Sequence, residues 1–248
     1  SAFHADDLDL AVGRSRLAGS LQFGRAAAGR RSHRASLRAT ALHLEDIGAG
    51  GRLRFDDETP RQERATAQDV ERATAWLLDI VRGTDFDLAV DIESLLGAGQ
   101  PLAAGRLTAQ AEAGTLRLNL GEVLTAGGEV NAELRVEANA TPPGFALRAR
   151  ARDLEYGPML RALDPSTSLE GGFDFNADLA ARAQPAQVLR ELGGTIDAAT
   201  FPRGLQPRAL NLWGVGLVTG LVRQLDPDAR SSIDCAVAGF DIGRGVAR

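Results

Sequence analysis

Four acids, Asp85, Asp87, Asp91 and Glu93, stand close enough in the chain to suggest paired carboxylates for acid/base work or a metal nest. Their spacing argues otherwise. They occupy odd positions in a segment whose even positions are Phe86, Leu88, Val90 and Ile92, and residues two apart in a strand share one face. A row of acids on the wet side of a strand serves solubility. His4, His33 and His43 lack the i, i+4 spacing of a helical zinc site, and no G-x-S-x-G nucleophile elbow occurs. The glycines at 48–51 follow no strand that would make them a phosphate cradle. Cys235 is the single cysteine, which excludes an intrachain disulfide and a cysteine metal cluster. Alternation groups it with Ile233 and Val237, an arrangement that predicts a buried, inert thiol. No catalytic constellation emerges, so an enzyme is not expected.

One charged group keeps a binding role in view. Arg25, Arg30, Arg31 and Arg34, with His33, read as a basic loop able to meet lipid phosphates or an anionic membrane surface; a solvated loop tip is the plainer reading. All 28 cationic residues are Arg and none is Lys, and guanidinium is the better bidentate partner for phosphate or carboxylate. A net charge of -5 argues against a general nucleic-acid binder.

The elements that would position these residues follow from hydrophobic periodicity. The alternation at 86–92 returns at Leu116, Leu118 and Leu120, and then at Val130, Ala132, Leu134 and Val136. It returns again at Phe145, Leu147 and Ala149, and at Leu169, Gly171, Phe173, Phe175, Ala177 and Leu179. Period two means a sheet with one apolar and one wet surface. Aromatics make up only 5% of the chain, so that surface is mostly Leu, Val and Ala. Short alternations at 8–12, 17–23, 37–44 and 53–55 give an N-terminal hairpin segment over 1–56.

At 57–84 the period changes. Val70, Ala73, Leu77 and Ile80 or Val81 fall at helical spacing behind a Thr59 N-cap and Pro60, so a helix is expected over 60–82. The 94–97 stretch reads as a helical turn or corner. Turns are expected at Ala113-Gly114, Gly127-Gly128 and 141–144. Short helices are expected at 156–163 and 187–192, a strand at 195–200, an apolar glycine-containing helix at 209–225, and a strand at 232–242. The expected fold is mainly β: a curved antiparallel hairpin meander with two longer helices and a few short ones, residues 85–248 forming one β-groove region. No stretch approaches the roughly 18 apolar residues of a spanning helix, and no basic-then-apolar leader opens the chain.

Several pieces together resemble the C-terminal region of the AsmA family of bacterial envelope proteins. They are Phe86-Asp87-Leu88-Ala89-Val90-Asp91 with Leu95-Leu96-Gly97 and the 102–120 hairpin; Thr125-Ala126-Gly127-Gly128-Glu129-Val130; and Leu169-Glu170-Gly171-Gly172-Phe173 followed by 185–196. The most specific is Leu210-Asn211-Leu212 heading the apolar helix, with residues 233–242 and Gly245-Val246 after it. Family members usually begin with a membrane helix and continue past the cysteine-containing strand, so the chain reads as a fragment. The resemblance implies a long curled sheet in the periplasm, anchored in the inner membrane by a segment outside this one. It implies transport of phospholipid toward the outer membrane or an assembly role there, with no catalytic residue. Neither a metal nor a cofactor is expected.

The apolar face is then either a sealed core or an open groove. The scarcity of large exposed apolar patches favours the first; the resemblance favours a groove partly covered by helices. Its expected lining is Phe86, Leu88, Val90, Ile92, Leu116, Leu118, Leu120, Val130, Leu134, Val136, Phe145, Leu147, Phe173, Phe175 and Leu179. The expected ligand is phospholipid or another acyl chain, with envelope proteins as possible partners. The alternative is a closed-core β scaffold that assists outer-membrane protein assembly through its edge strands.

Overall fold

Twelve strands hydrogen-bond into one open sheet whose spatial order is the order of the sequence. The computed structural model describes residues 3–25, 29–43, 46, 67–97, 100–125, 127–163, 167–203 and 235–247. The strands are β1 (Phe3–Val12), β2 (Ser15–Arg25), β3 (Arg31–His43), β4 (Thr84–Gly97), β5 (Gln100–Glu112) and β6 (Thr115–Thr125). They continue as β7 (Gly128–Glu137), β8 (Gly144–Glu155), β9 (Glu170–Arg182), β10 (Gly193–Arg203), β11 (Ala236–Gly243) and β12 (Val246–Ala247). Two α-helices are described, α1 (Ala67–Gly83) and α2 (Tyr156–Leu163), with a 3-10 turn at Pro185–Gln187.

Tight turns set the meander. Between β5 and β6, Ala113 and Gly114 have φ of 49° and 86°, the pair of positive values that a type I′ hairpin turn needs to match strand twist. One pairing departs from the expected antiparallel pattern: β3 and β4 run parallel. Parallel neighbours require a crossover, and α1 supplies it. The N-terminal segment therefore joins the same sheet as the rest.

At 1.5 Å per residue, the 17 residues of α1 reach about 25 Å. Five strand spacings from β4 to β9 come to about 24 Å. The helix accordingly crosses one end of the sheet, contacting the 3-10 turn beyond β9 and running directly into β4. Leu78 and Val81 are buried against Ala111, Leu116, Val136 and Ala138, with Leu77, Phe86, Leu134 and Phe145 packed around them. Leu78, Val81, Leu116 and Val136 each contribute about 1.5–3 kcal/mol by their burial. Arg82 donates from Nε to the Ala138 carbonyl oxygen at 3.0 Å, tying the last helical turn to the β7–β8 link.

Several expectations are corrected. The described helix is Ala67–Gly83, and residues 60–66 lie outside the described residues. Its sheltered stripe runs through Thr74, Leu77, Leu78 and Val81, whereas Ala73 is exposed. Residues 94–97 form no corner: they finish β4, where the pairing with β5 slips at Leu95 and again at Leu96. Bulges of this kind bend a strand and raise its twist without ending it. The 25–34 stretch is less a loop than expected, because Arg31 and Arg34 already belong to β3. At 185–191 the 3-10 turn is followed by turns in which Arg190 and Glu191 donate to the Gln187 carbonyl oxygen. Cys235 is exposed, not buried. The phase explains it: Val237, two residues on, is 75% exposed while Ala236 and Ala238 take the apolar parity. The helix expected at 209–225 and the glycines at 48–51 lie outside the described residues.

α2 lies where the sequence places it and contacts both β9 and β5. Tyr156 Oη donates to the Glu170 carbonyl oxygen and Arg161 Nη1 to Glu170 Oε1, each at 2.7 Å. α1 and α2 thus sit at opposite ends of the strands.

Candidate functional site

Directly opposed residues in neighbouring strands share a face, so the pairing register maps each surface. One row runs Ala5, Leu21, Ala35, Leu88, Ala109, Leu118 and Leu134, then Leu147, Leu179, Gly194, Ile242 and Ala247. It takes one residue from each of the twelve strands and meets no polar side chain. The next row, Leu8, Gly19, Leu37, Val90, Leu107, Leu120, Ala132, Ala149, Ala177, Ile196 and Phe240, is equally apolar over eleven strands. At about 4.8 Å per spacing, the first row is about 53 Å long.

All fifteen expected lining residues fall on this face. Phe86, Leu116, Val136 and Phe145 share the row at the α1 end, while Ile92, Val130, Phe173 and Phe175 lie toward the other end. Burial divides them. Leu116 and Val136, under α1, are 2% and 0% exposed. Away from α1 the small side chains Ala39, Ala109, Ala151 and Ala177 are buried between larger neighbours, most of those neighbours are half-buried, and Leu147, Leu10, Phe23 and Phe240 are exposed. Among the described residues the face is sealed beneath α1 and partly open elsewhere.

The opposite face is charged and cross-linked. Arg106 donates from Nε and Nη2 to both oxygens of Asp91, at 2.6 and 2.9 Å. That hydrogen bond holds the Asp91 carboxyl below its ordinary range and raises Arg106. Arg38 pairs with Glu93 at 3.5 Å, Arg148 with Asp178 at 3.3 Å, and Glu137 takes both Arg135 and Arg182. The acids expected on the wet side are there, yet Asp85 is no solvated group. It lies mostly out of water, accepts from Arg30 Nε at 2.8 Å and takes the Ala113 backbone N–H at 3.0 Å. An open depression of 760 Å³ lies on this polar side, between Arg135, Glu137, Arg182 and Thr195.

The four arginines separate. Arg30 donates to the carbonyl oxygens of Val81 (3.1 Å) and Arg82 (2.5 Å) as well as to Asp85, so it closes the C-terminus of α1, where free carbonyls and the helix dipole favour a cation. Its donors are spent on the helix end and on Asp85, so it acts as a structural clamp. Arg34 points to the polar face, 3.7 Å from Asp87. Arg25 and Arg31 stand opposite each other on the apolar-face parity, where β2 and β3 meet their link. His33 lies beside them on that face, its ring edge-on to Phe23 at 5.0 Å and its Nδ1 buried without a hydrogen-bond partner.

Sequence reasoning left out much of the face. Leu21, Ala35, Leu37, Ile196 and Phe240 belong to it, as does Ala109. The alternation in β2 and β3 was visible, but only the parallel β3–β4 pairing joins it to the central strands. Ala is too common in this chain to stand out without a register.

Among the described residues no helix is long and apolar enough to cross a membrane, and no group of three or more His, Cys, Asp or Glu is placed to hold a metal ion. No family model, curated protein or solved structure matches the chain.

Proposed function

We propose that the apolar face holds acyl chains, and that this chain is a segment of an AsmA-like periplasmic protein that stores or conducts phospholipid for outer-membrane biogenesis. The observation that carries the reading is the uninterrupted apolar row through all twelve strands, half-open beyond α1 and backed by an ion-paired polar face. Soluble proteins rarely leave so large an apolar surface uncovered. Hydrocarbon laid on it gains about 0.8 kcal/mol per methylene buried, with no need for a specific polar contact. A row running across the strands lets a chain slide from one strand to the next without crossing a charge. Native mass spectrometry of the protein purified from a Gram-negative envelope should detect bound phospholipid. A lipid-free protein that also fails to take up added phospholipid would contradict the reading.

A second reading, a scaffold that pairs its edge with an envelope protein, has one observation in its favour. Among the described residues β12 pairs with only Ile242 and Gly243 of β11, while Val237 and Phe240 of that strand stay exposed. An exposed edge of this kind can accept a further strand. Cross-linking from Val237 to another protein, with no lipid bound anywhere on the sheet, would select it.

A further inference from the structure

We infer that Arg25, Arg31 and the unpartnered Nδ1 of His33 form an anion site at one end of the apolar face, where a hydrocarbon chain lying on that face places its phosphate or carboxylate. The inference rests on the acyl-chain reading and adds the place on the sheet, and the residues, that hold the ligand's anionic end.

Three observations converge on it. First, Arg25 and Arg31 are directly opposed across β2 and β3. Like charges so placed repel. Their neighbours Arg30 and Arg34 each have a carboxylate, Asp85 and Asp87; among the described residues Arg25 and Arg31 have none. Second, the row beyond this pair is aromatic and apolar. Phe23 opposes His33, His33 opposes Phe86, and Phe3 packs on Phe23 with ring centroids 6.1 Å apart. Third, a buried ring nitrogen without a partner is costly, and a ligand oxygen entering beside Phe23 would accept from the Nδ1–H tautomer of His33.

The position suits an amphiphile. α1 covers the same end of the sheet from β4 to β9, so among the described residues the helix leaves β1 to β3 on one side and β10 to β12 on the other outside its reach, and Arg25, Arg31 and His33 lie on the first of these. A chain whose charged end is held at Arg25 and Arg31 can run inward over Leu21 and Ala35 and then onto Leu88. Two guanidiniums and one imidazole donor fit a phosphate or carboxylate and give no advantage to an uncharged headgroup.

Calorimetric titration with dodecyl phosphate, monolaurin and inorganic phosphate tests this. The parent protein should bind dodecyl phosphate at least about tenfold more tightly than monolaurin. The Arg25→Gln, Arg31→Gln double variant should lose that preference and keep its monolaurin affinity. Equal affinities in the parent, or a preference that survives in the double variant, would overturn the anion site and leave the hydrocarbon reading standing. Inorganic phosphate that competes as well as dodecyl phosphate would overturn the tethered form in favour of a free-anion site. Failure of both amphiphiles to bind would remove the acyl-chain reading and this inference with it. Should the double variant misfold, Arg25→Gln alone and rising salt serve instead: both should shrink the preference, and a preference indifferent to both overturns the site.

Discussion

Arg30 reaches Asp85 across the start of the parallel β3–β4 pair, with its Nε 2.8 Å from Oδ1. The same guanidinium closes the last turn of α1. One side chain thus fixes helix, crossover and sheet in a single register. Arg30→Ala leaves Asp85 partly buried without its cation, and should cost about 1–3 kcal/mol in urea-unfolding stability. A variant with the parent's midpoint would show that the clamp is ornamental.

Covered and uncovered apolar positions should respond differently to truncation. Leu78, on the sheet-facing side of α1, is 1% exposed, so Leu78→Ala should destabilise by about 2–5 kcal/mol. Leu147 is 36% exposed in the middle of the row. Its change to Ala should cost less than about 1 kcal/mol while weakening acyl-chain uptake. Equal losses of stability at the two positions would mean that the face is sealed throughout.

The register of β5 and β6 is set by a turn with a non-ideal residue. Ala113 takes φ 49°, a conformation that costs an L-residue about 1–2 kcal/mol. Ala113→Asn would create the Asn-Gly pair that type I′ turns prefer and should raise the thermal midpoint. Gly114→Ala should lower it, because a Cβ there would run into the Asn139 side chain. Differential scanning calorimetry of the two variants gives the signs.

Asp46 governs an acid limb. Ser15 Oγ and the backbone N–H groups of Ser15 and Arg14 all donate to its Oδ2, at 2.7, 2.8 and 2.8 Å, and these bonds, led by the Ser15 hydroxyl, lower its pKa. A carboxyl depressed in the folded state stabilises fully above its unfolded pKa of about 3.9 and loses that contribution as pH falls through the folded value. Asp46→Asn should therefore reduce stability at neutral pH and flatten its decline below about pH 4. An unchanged acid limb in the pH series would rule Asp46 out.

Much of this fold is legible in the sequence. The alternation of Phe86, Leu88, Val90 and Ile92 against four acids fixes which side of β4 faces water, and the same logic holds for β6 to β9. What failed needed information that periodicity does not carry. Arg30 could not be told from Arg31, because the helix terminus that claims it, at Val81 and Arg82, comes 51–52 residues further on. Residues 94–97 looked like a corner because a bulge disturbs alternation without ending pairing. Cys235 was misplaced by one step of phase, which inverts every side chain in a strand. The unity of the sheet depended on one parallel pairing across α1, and no local pattern encodes a partner strand.

Photocross-linking tests the central claim most directly. Benzoylphenylalanine would be introduced singly at Leu118, Leu147 and Ile196 on the apolar face, and at Thr108, Arg148 and Asn176 on the polar one, with expression in a Gram-negative host. Lipid adducts at the first three positions and none at the last three are the predicted result. Adducts on both faces alike, or on neither, would contradict an acyl-chain surface.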